Sequence, residues 1–87
     1  MGTDLTKIFE QAIADSKSLR ERPSNDTLLQ LYSLYKQATD GDASDDAPSN
    51  PFDFVAKAKY EAWTALKGKG KETAMQQYID LVNKLKA

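Results

Sequence analysis

The chain has 87 residues, 40% hydrophobic and 29% charged, which is typical of one small globular domain (residues 1–87) and leaves no room for a second core. It contains neither cysteine nor histidine, which excludes disulfides, His/Cys zinc sites and Ser-His-Asp or Cys-His catalysis. The formal net charge is −1: residues 1–50 contain 5 basic and 9 acidic residues, and residues 51–87 contain 7 basic and 4 acidic ones. We therefore expect no surface that binds nucleic acid, but the second segment could hold a local basic site for a compact anion. With no long apolar stretch either, these features predict a small cytoplasmic protein that binds rather than catalyses.

The first predicted helix begins near Thr3 and Asp4, which are suitable N-cap residues, and must end before Pro23, which disfavours helical geometry in the residue before it. Its apolar residues recur at steps of three and four, the period of one helical face: Leu5, Ile8, Phe9, Ala12, Ile13 and Leu19.

The second predicted helix is capped by the segment Ser24 to Asp26. Its apolar face carries Leu28, Leu31, Tyr32, Tyr35 and Ala38, and is widened by Leu29 and Leu34. Residues 40–51 follow; they contain two prolines, a glycine and no large apolar side chain, which predicts a loop.

The third predicted helix begins near Asp53 and is closed by Gly68 and Gly70, with Phe54, Ala58, Ala62 and Leu66 at helical spacing. The fourth runs from about Lys71 to Lys86, with Met75, Tyr78, Val82 and Leu85 facing inward. With no strand alternation, the pattern predicts an all-α protein, a four-helix bundle.

Three short motifs have simpler explanations than function. An EF-hand loop starting at Asp40 would need glycine at position 45 and glutamate at position 51, which are Asp45 and Pro51, so we expect no metal site. Asn25 starts a glycosylation sequon, but it belongs to a helix cap. Gly2 fits a loose myristoylation pattern, which alone is a weak signal.

Tyr32, Tyr35 and Lys36 lie three and four residues apart on the second helix and therefore share one face. Two such tyrosines are most often core residues with their hydroxyls at the rim, and Lys59 on the third helix is most often solvated. The same set, with Tyr78, could line a site for an anion that carries an aromatic base, since rings stack on bases and ammonium groups hold phosphate. Helical periodicity alone does not bring these residues together.

At these residues the sequence resembles the acyl-CoA-binding proteins. Residues 32–42 match the family pattern Tyr-x-x-Tyr-Lys-Gln-Ala-Thr-x-Gly-Asp, and residues 57–63 match Lys-Ala-Lys-aromatic-x-Ala-Trp. The segments 66–68 and 74–79 follow in the family's order and spacing, so the resemblance covers nearly the whole chain. It implies a bundle of up-down-down-up topology with a ligand bowl on its surface.

The resemblance also implies roles for individual residues and no cofactor. The positions matching Tyr32, Lys36 and Lys59 hold the ribose 3′-phosphate of the coenzyme, and the position matching Tyr35 stacks on the adenine. The position matching Tyr78 contacts the nucleotide and helps to close the site. Positions along the acyl and pantetheine path match Ile13, Lys17, Leu28 and Leu29.

This chain departs from the family at Tyr60, where a tryptophan is usual, and at Val55, where a lysine is frequent. Trp63 is expected to pack between helices. The expected function is non-catalytic binding of medium- and long-chain acyl-CoA by a monomer that carries and pools the ligand and makes transient contact with acyl-CoA-using enzymes or membranes. The alternatives are a helical module whose tyrosine face docks a partner protein, which would need an exposed apolar patch, and a fragment of a larger enzyme, which the capped helices spanning the chain disfavour.

Overall fold

Four α-helices follow one another along the chain. The computed structural model describes residues 4–44, 47–50 and 52–86, and within these ranges it contains helices, turns and no strand. The helices are α1 (Asp4–Ser16), α2 (Asn25–Thr39), α3 (Phe54–Thr64) and α4 (Lys71–Lys86). The all-α class and the four predicted helices are confirmed.

The hydrophobic core is formed by α1, α2 and α4, because α4 packs against both of the other two helices. Its buried members are Phe9, Ala12, Leu31, Leu34, Ala38, Ala74, Tyr78, Ile79 and Val82. The predicted inward positions Tyr78 and Val82 are therefore confirmed as buried. Met75 and Leu85 lie at the edge of the core, half-buried against it.

Helix α3 packs along α2 and contributes no fully buried residue. Phe54, the first of the residues at helical spacing in the third predicted helix, is 71% exposed at the start of α3. Ala58 and Ala62 are half-buried, and Leu66, just after α3, packs against the core. A helix that rests on a single neighbour leaves part of its apolar side uncovered, and that uncovered side forms one wall of the candidate site.

The predicted cap of α2 is confirmed at Ser24, and α3 begins beside Asp53 as predicted, with Asp53 as its cap. The Ser24 hydroxyl accepts a hydrogen bond from the backbone N–H of Thr27 at 3.2 Å, and the Asp53 carboxylate accepts one from the N–H of Ala56 at 3.0 Å. Each bond satisfies an N–H group that the helix itself leaves unpaired. Thr3, the other predicted cap residue, lies outside the described residues, as does Gly2.

Helix α1 is shorter than its apolar pattern predicts. It ends at Ser16, so the prediction that Leu19 continues the helical face is wrong. The last turn tightens: the N–H of Lys17 bonds to the carbonyl of Ala14, and the Ser16 hydroxyl donates to the Ile13 carbonyl at 2.6 Å. Bonds to the third preceding residue replace the α-helical pattern and end the helix.

Contacts between α1 and α4 occur in the same order along both helices. Phe9 meets Tyr78 edge to face, with ring centroids 5.2 Å apart, and one to two turns further on Asp15 forms an ion pair with Lys86 at 3.0 Å. This is the order expected of helices that run in the same direction, as the up-down-down-up topology requires of this pair.

The loop after α2 is tied to the turn between α3 and α4. The buried amide of Gln37 donates to the Asp42 carboxylate and to the Lys69 carbonyl, both at 2.8 Å, and Asp42 also accepts from the N–H of Gly68 at 2.9 Å. Gly68 has φ +92°, a conformation in which glycine has no steric cost. Among the described residues, no helix combines the length and apolar character needed to cross a membrane.

Candidate functional site

A groove of about 480 Å³ lies between the first turns of α2 and the first turns of α3. Its lining combines mainly apolar side chains with two cationic ones: Arg22, Asn25, Leu28, Leu29, Tyr32, Val55, Ala58 and Lys59. This volume falls within the range of about 300–1,000 Å³ usual for small-molecule sites. An aliphatic surface beside basic groups suits a ligand that has both an apolar chain and an anionic group.

Tyr32 and Lys59 both line this groove and contact each other. The Lys59 ammonium lies over the Tyr32 ring, with its nitrogen 5.2 Å from the ring centroid. The negative face of the ring attracts the cation and holds it at the surface without a competing carboxylate in this contact. The pair therefore presents a phenolic hydroxyl and an ammonium group together.

A second lysine–aromatic pair lies one helical turn further along both helices. The Lys36 ammonium of α2 lies 4.9 Å from the ring centroid of Trp63 in α3. It also forms an ion pair with the Asp40 carboxylate at 2.5 Å, and this hydrogen bond raises the pKa of Lys36 above its ordinary value. The second pair follows the first by four residues in α2 and by four residues in α3, so the two helices run in the same direction here.

Tyr35 does not line the groove and packs toward α1 instead. Its ring stacks on Phe9 of α1 at a centroid distance of 6.3 Å, and the side chain is 39% exposed. A ring with one face packed and part of its surface free can accept a flat group on the open part.

Tyr78 is almost completely buried, and its ring contacts Phe9 edge to face. Its hydroxyl donates to the Ser16 hydroxyl at 3.1 Å, and Ser16 in turn donates to the Ile13 carbonyl. Burial raises the pKa of the Tyr78 phenol, although the bond to Ser16 opposes that shift. Ile13 is half-buried against the core, and Lys17 is exposed just after the end of α1.

The sequence-predicted residues thus fall into three neighbouring groups. Leu28, Leu29, Tyr32 and Lys59 line the groove; Lys36 lies one turn further on α2, and Tyr35 beside it faces α1. Ile13, Lys17 and Tyr78 belong to the α1–α4 side, which Phe9 connects to Tyr35 through its ring contacts.

Several residues of the site were not predicted. Arg22, Val55 and Ala58 line the groove, and Trp63 supports Lys36 in addition to its expected packing role. Trp63 also donates from its indole N–H to the Gly41 carbonyl at 2.8 Å, which ties α3 to the loop after α2. The equal four-residue spacing of Tyr32–Lys36 and Lys59–Trp63 was a usable signal, since two parallel helices in register bring both pairs together.

The acidic loop has structural partners. Asp40 pairs with Lys36. Asp42 accepts hydrogen bonds from the Gly68 N–H and the Gln37 amide, which hold the pKa of Asp42 below its usual value. No group of three or more acidic residues in the described part of the chain is close enough to hold a metal ion. Asp45, Asp46 and Pro51 lie outside that part.

A larger hollow of about 820 Å³ lies between the end of α1, the following turn and the end of α4. It is lined by Asp15, Ser18, Leu19, Arg20, Glu21, Leu85 and Lys86. Charges of both signs are mixed there, and the Asp15–Lys86 pair is already formed within it. This hollow is therefore a less suitable site for an anionic ligand than the groove is.

Comparison with known proteins gives a consistent family. The sequence model described as "Acyl CoA binding protein" matches residues 6–82. The chain is 49% identical over 77 residues to the acyl-CoA-binding protein of Dictyostelium discoideum, a match that covers 88% of this chain and 90% of that protein.

Two further matches extend this result. The chain is 51% identical over 77 residues to enoyl-CoA delta isomerase 2 of Rattus norvegicus, where the match covers 88% of this chain but only 19% of the isomerase. The crystal structure of Oryza sativa acyl-CoA-binding protein 2 superposes with a TM-score of 0.87 at 41% identity, covering 93% of this chain and 89% of that one.

Proposed function

The chain belongs to the acyl-CoA-binding protein family, and from this premise we propose that it binds medium- and long-chain fatty acyl-CoA thioesters without catalysing a reaction. The observation that carries the proposal is the aliphatic groove between α2 and α3, which lies directly beside two lysine–aromatic pairs. An acyl-CoA has the matching halves: an apolar chain and a nucleotide with a 3′-phosphate.

The proposed phosphate site consists of Tyr32, Lys36 and Lys59. A dianionic phosphate is best held by charge-assisted donors, and lysine supplies a flexible point charge with three N–H groups. Both lysines rest on aromatic rings and keep part of their surface in solvent, so each can turn an N–H group toward an anion.

The proposed nucleotide site extends from these lysines to Tyr35. The free part of its ring offers a stacking surface for adenine, an interaction worth ~1–3 kcal/mol per base. Tyr78 packs edge to face against Phe9, which stacks on Tyr35, and so supports this region from the core. Only 4% of its surface is exposed, which leaves little of the side chain for the nucleotide contact that the resemblance implies.

The proposed acyl and pantetheine path includes Leu28 and Leu29 in the groove, and Ile13 and Lys17 at the end of α1. Removing roughly fifteen methylene-sized groups of a palmitoyl chain from water gives a gross gain of ~12 kcal/mol at ~0.8 kcal/mol each. Much of this is lost to ordering of the ligand and side chains. Affinity should therefore rise with acyl length, while free CoA binds weakly.

In the cell, we propose that the protein acts as a cytoplasmic monomer that carries and pools acyl-CoA, and that it meets acyl-CoA-using enzymes or membranes transiently. Sequestration is the mechanism: the nucleotide is gripped at the surface and the acyl chain is shielded between coenzyme and protein.

Titration calorimetry with palmitoyl-CoA, free palmitate and free CoA tests the proposed function. We expect one palmitoyl-CoA per chain and much weaker binding of either half alone, because neither half engages both the groove and the lysines. If palmitate binds as tightly as palmitoyl-CoA, the nucleotide site is wrong.

The second candidate function is a module that docks a partner protein. It is favoured by Phe52, Phe54 and Val55 at the start of α3, which are 81%, 71% and 65% exposed. Such a cluster is typical of interaction surfaces. A chain that shows no heat of binding with palmitoyl-CoA would support this candidate over the first.

A further inference from the structure

Asp40 holds one of the proposed phosphate ligands in a pre-existing ion pair. Its Oδ2 lies 2.5 Å from the Lys36 nitrogen, and its side chain is about half exposed. The same ammonium faces the Trp63 ring. Lys36 is therefore held between an anion and the face of an aromatic ring before any ligand arrives.

The ion pair is poorly placed to stabilise α2. Asp40 is the C-cap residue, where the negative end of the helix dipole disfavours a carboxylate. A lysine that precedes its acidic partner by four residues is also the less favourable order for a helical ion pair. Being partly exposed, the pair adds little to folding. Because the ion pair adds little to the stability of α2, the main effect of Asp40 is on the Lys36 ammonium.

We propose that Asp40 is a specificity-determining residue that competes with the ligand's 3′-phosphate for the Lys36 ammonium and so lowers affinity for 3′-phosphorylated acyl-CoA. The inference rests on the proposed function of Lys36. The competition has two parts: one of the ammonium's N–H groups is engaged by the carboxylate, and the carboxylate's charge repels the incoming dianion.

The size of the effect follows from distance and screening. A phosphate that binds the same ammonium would lie roughly 6 Å from the Asp40 carboxylate, where like charges repel even in a solvent of high dielectric constant. Removal of the carboxylate charge should tighten binding by about threefold to tenfold at low salt, and by less at high salt, where such interactions are screened.

The test is calorimetric titration of Asp40→Asn with palmitoyl-CoA and with palmitoyl-dephospho-CoA, at low and high salt. We expect Asp40→Asn to bind palmitoyl-CoA about threefold to tenfold more tightly than wild type at low salt, and palmitoyl-dephospho-CoA with unchanged affinity. Asp80→Asn is the matched control, since it removes one carboxylate charge from the exposed side of α4 and should bind both ligands as wild type does.

A Lys36→Ala background isolates the mechanism. If Asp40 competes for the Lys36 ammonium, the gain from Asp40→Asn is smaller in the Lys36→Ala background, where only the direct repulsion between carboxylate and phosphate remains; an equal gain in both backgrounds overturns the competition. Unchanged or weaker binding of palmitoyl-CoA by Asp40→Asn overturns the inference, and weaker binding would make Asp40 a residue that orients Lys36. If the inference about Asp40 fails but the wild-type chain binds palmitoyl-CoA and Lys36→Ala weakens that binding, the proposed function still holds. If the wild-type chain does not bind palmitoyl-CoA, both the proposed function and the inference are overturned.

Discussion

The Lys59 ammonium of α3 lies over the ring of Tyr32 in α2, with 5.2 Å between the nitrogen and the ring centroid. The contact joins the two helices in the lining of the groove and keeps a cation near a phenolic hydroxyl. An approaching phosphate would find two donors from two helices already side by side, with little side-chain ordering left to complete.

Lys59→Ala should weaken palmitoyl-CoA binding by about 10- to 100-fold, because a hydrogen bond to a charged group is worth roughly 1.5–3 kcal/mol. Tyr32→Phe should have a smaller effect, since it removes a hydroxyl and keeps the ring under Lys59. Calorimetry with palmitoyl-CoA and palmitoyl-dephospho-CoA gives the comparison, and we expect both losses to be small with the second ligand.

Lys57→Ala is the control for Lys59→Ala, since it removes an exposed lysine two residues away on the same helix. An exposed lysine that acts only through long-range charge contributes little at ordinary ionic strength. Equal loss of affinity in the Lys57 and Lys59 variants would argue for a diffuse charge effect and against a phosphate site.

Trp63→Ala should reduce both stability and affinity. The side chain is half-buried, so we expect a loss of about 2–3 kcal/mol in the free energy of unfolding, below the ~3–5 kcal/mol of fully buried aromatic residues. Lys36 also loses the ring on which it rests. Trp63→Phe keeps a ring but loses the bond to Gly41, so it should cost about 1 kcal/mol and largely preserve binding.

Urea unfolding and calorimetry on the two Trp63 variants separate these effects. A Trp63→Ala protein with wild-type affinity for palmitoyl-CoA would show that the ring has a packing role alone, as the sequence predicts.

The sequence was most informative where a local rule decides the structure. The caps at Ser24 and Asp53 and the start of α4 at Lys71 follow from local side-chain chemistry and from the residues that precede each helix. It was least informative about Phe54, because helical periodicity shows which residues share a face and not whether another helix covers that face.

The same limit applies to the site. The resemblance supplied Tyr32 and Lys59, but their meeting depends on the packing of α2 against α3, which no single segment encodes. The apolar spacing continues to Leu19, so the sequence did not predict that α1 ends at Ser16. The Ser16 hydroxyl donates to the Ile13 carbonyl, and such a bond competes with the backbone bonds that would extend the helix.

Ser16→Ala should destabilise the protein more than Tyr78→Phe does. Tyr78→Phe removes the buried hydroxyl and leaves Ser16 bonded to the Ile13 carbonyl, a loss of about 0.5–1.5 kcal/mol. Ser16→Ala instead leaves the Tyr78 hydroxyl buried without that acceptor, which costs about 1–3 kcal/mol. Urea unfolding measures both, and a larger loss for Tyr78→Phe would contradict this view of the Tyr78–Ser16 bond.

The Asp42 carboxylate should make stability depend on pH in the acid range. The hydrogen bonds from Gly68 and Gln37 lower its pKa in the folded protein, so its contribution is fully present above the unfolded value of about 4 and is lost as pH falls through the lower folded value. Asp42→Asn keeps an acceptor oxygen but removes the charge. It should be less stable than wild type near pH 7, and this difference should shrink below pH ~4.

The measurement is the urea midpoint of wild type and Asp42→Asn between about pH 2.5 and 7, with Asp80→Asn as the charge control. A constant difference between wild type and Asp42→Asn across this range would show that the Asp42 charge does not stabilise the loop.

The affinity of the wild-type chain for a series of acyl-CoA ligands, from acetyl-CoA to palmitoyl-CoA, tests most directly whether the groove and the lysine pairs form one site. Each added methylene that enters the groove can contribute at most ~0.8 kcal/mol, about fourfold in affinity, so binding should tighten strongly along the series at a constant one-to-one stoichiometry. Equal affinity for acetyl-CoA and palmitoyl-CoA would contradict the account, because it would mean that the acyl chain does not bind to the protein.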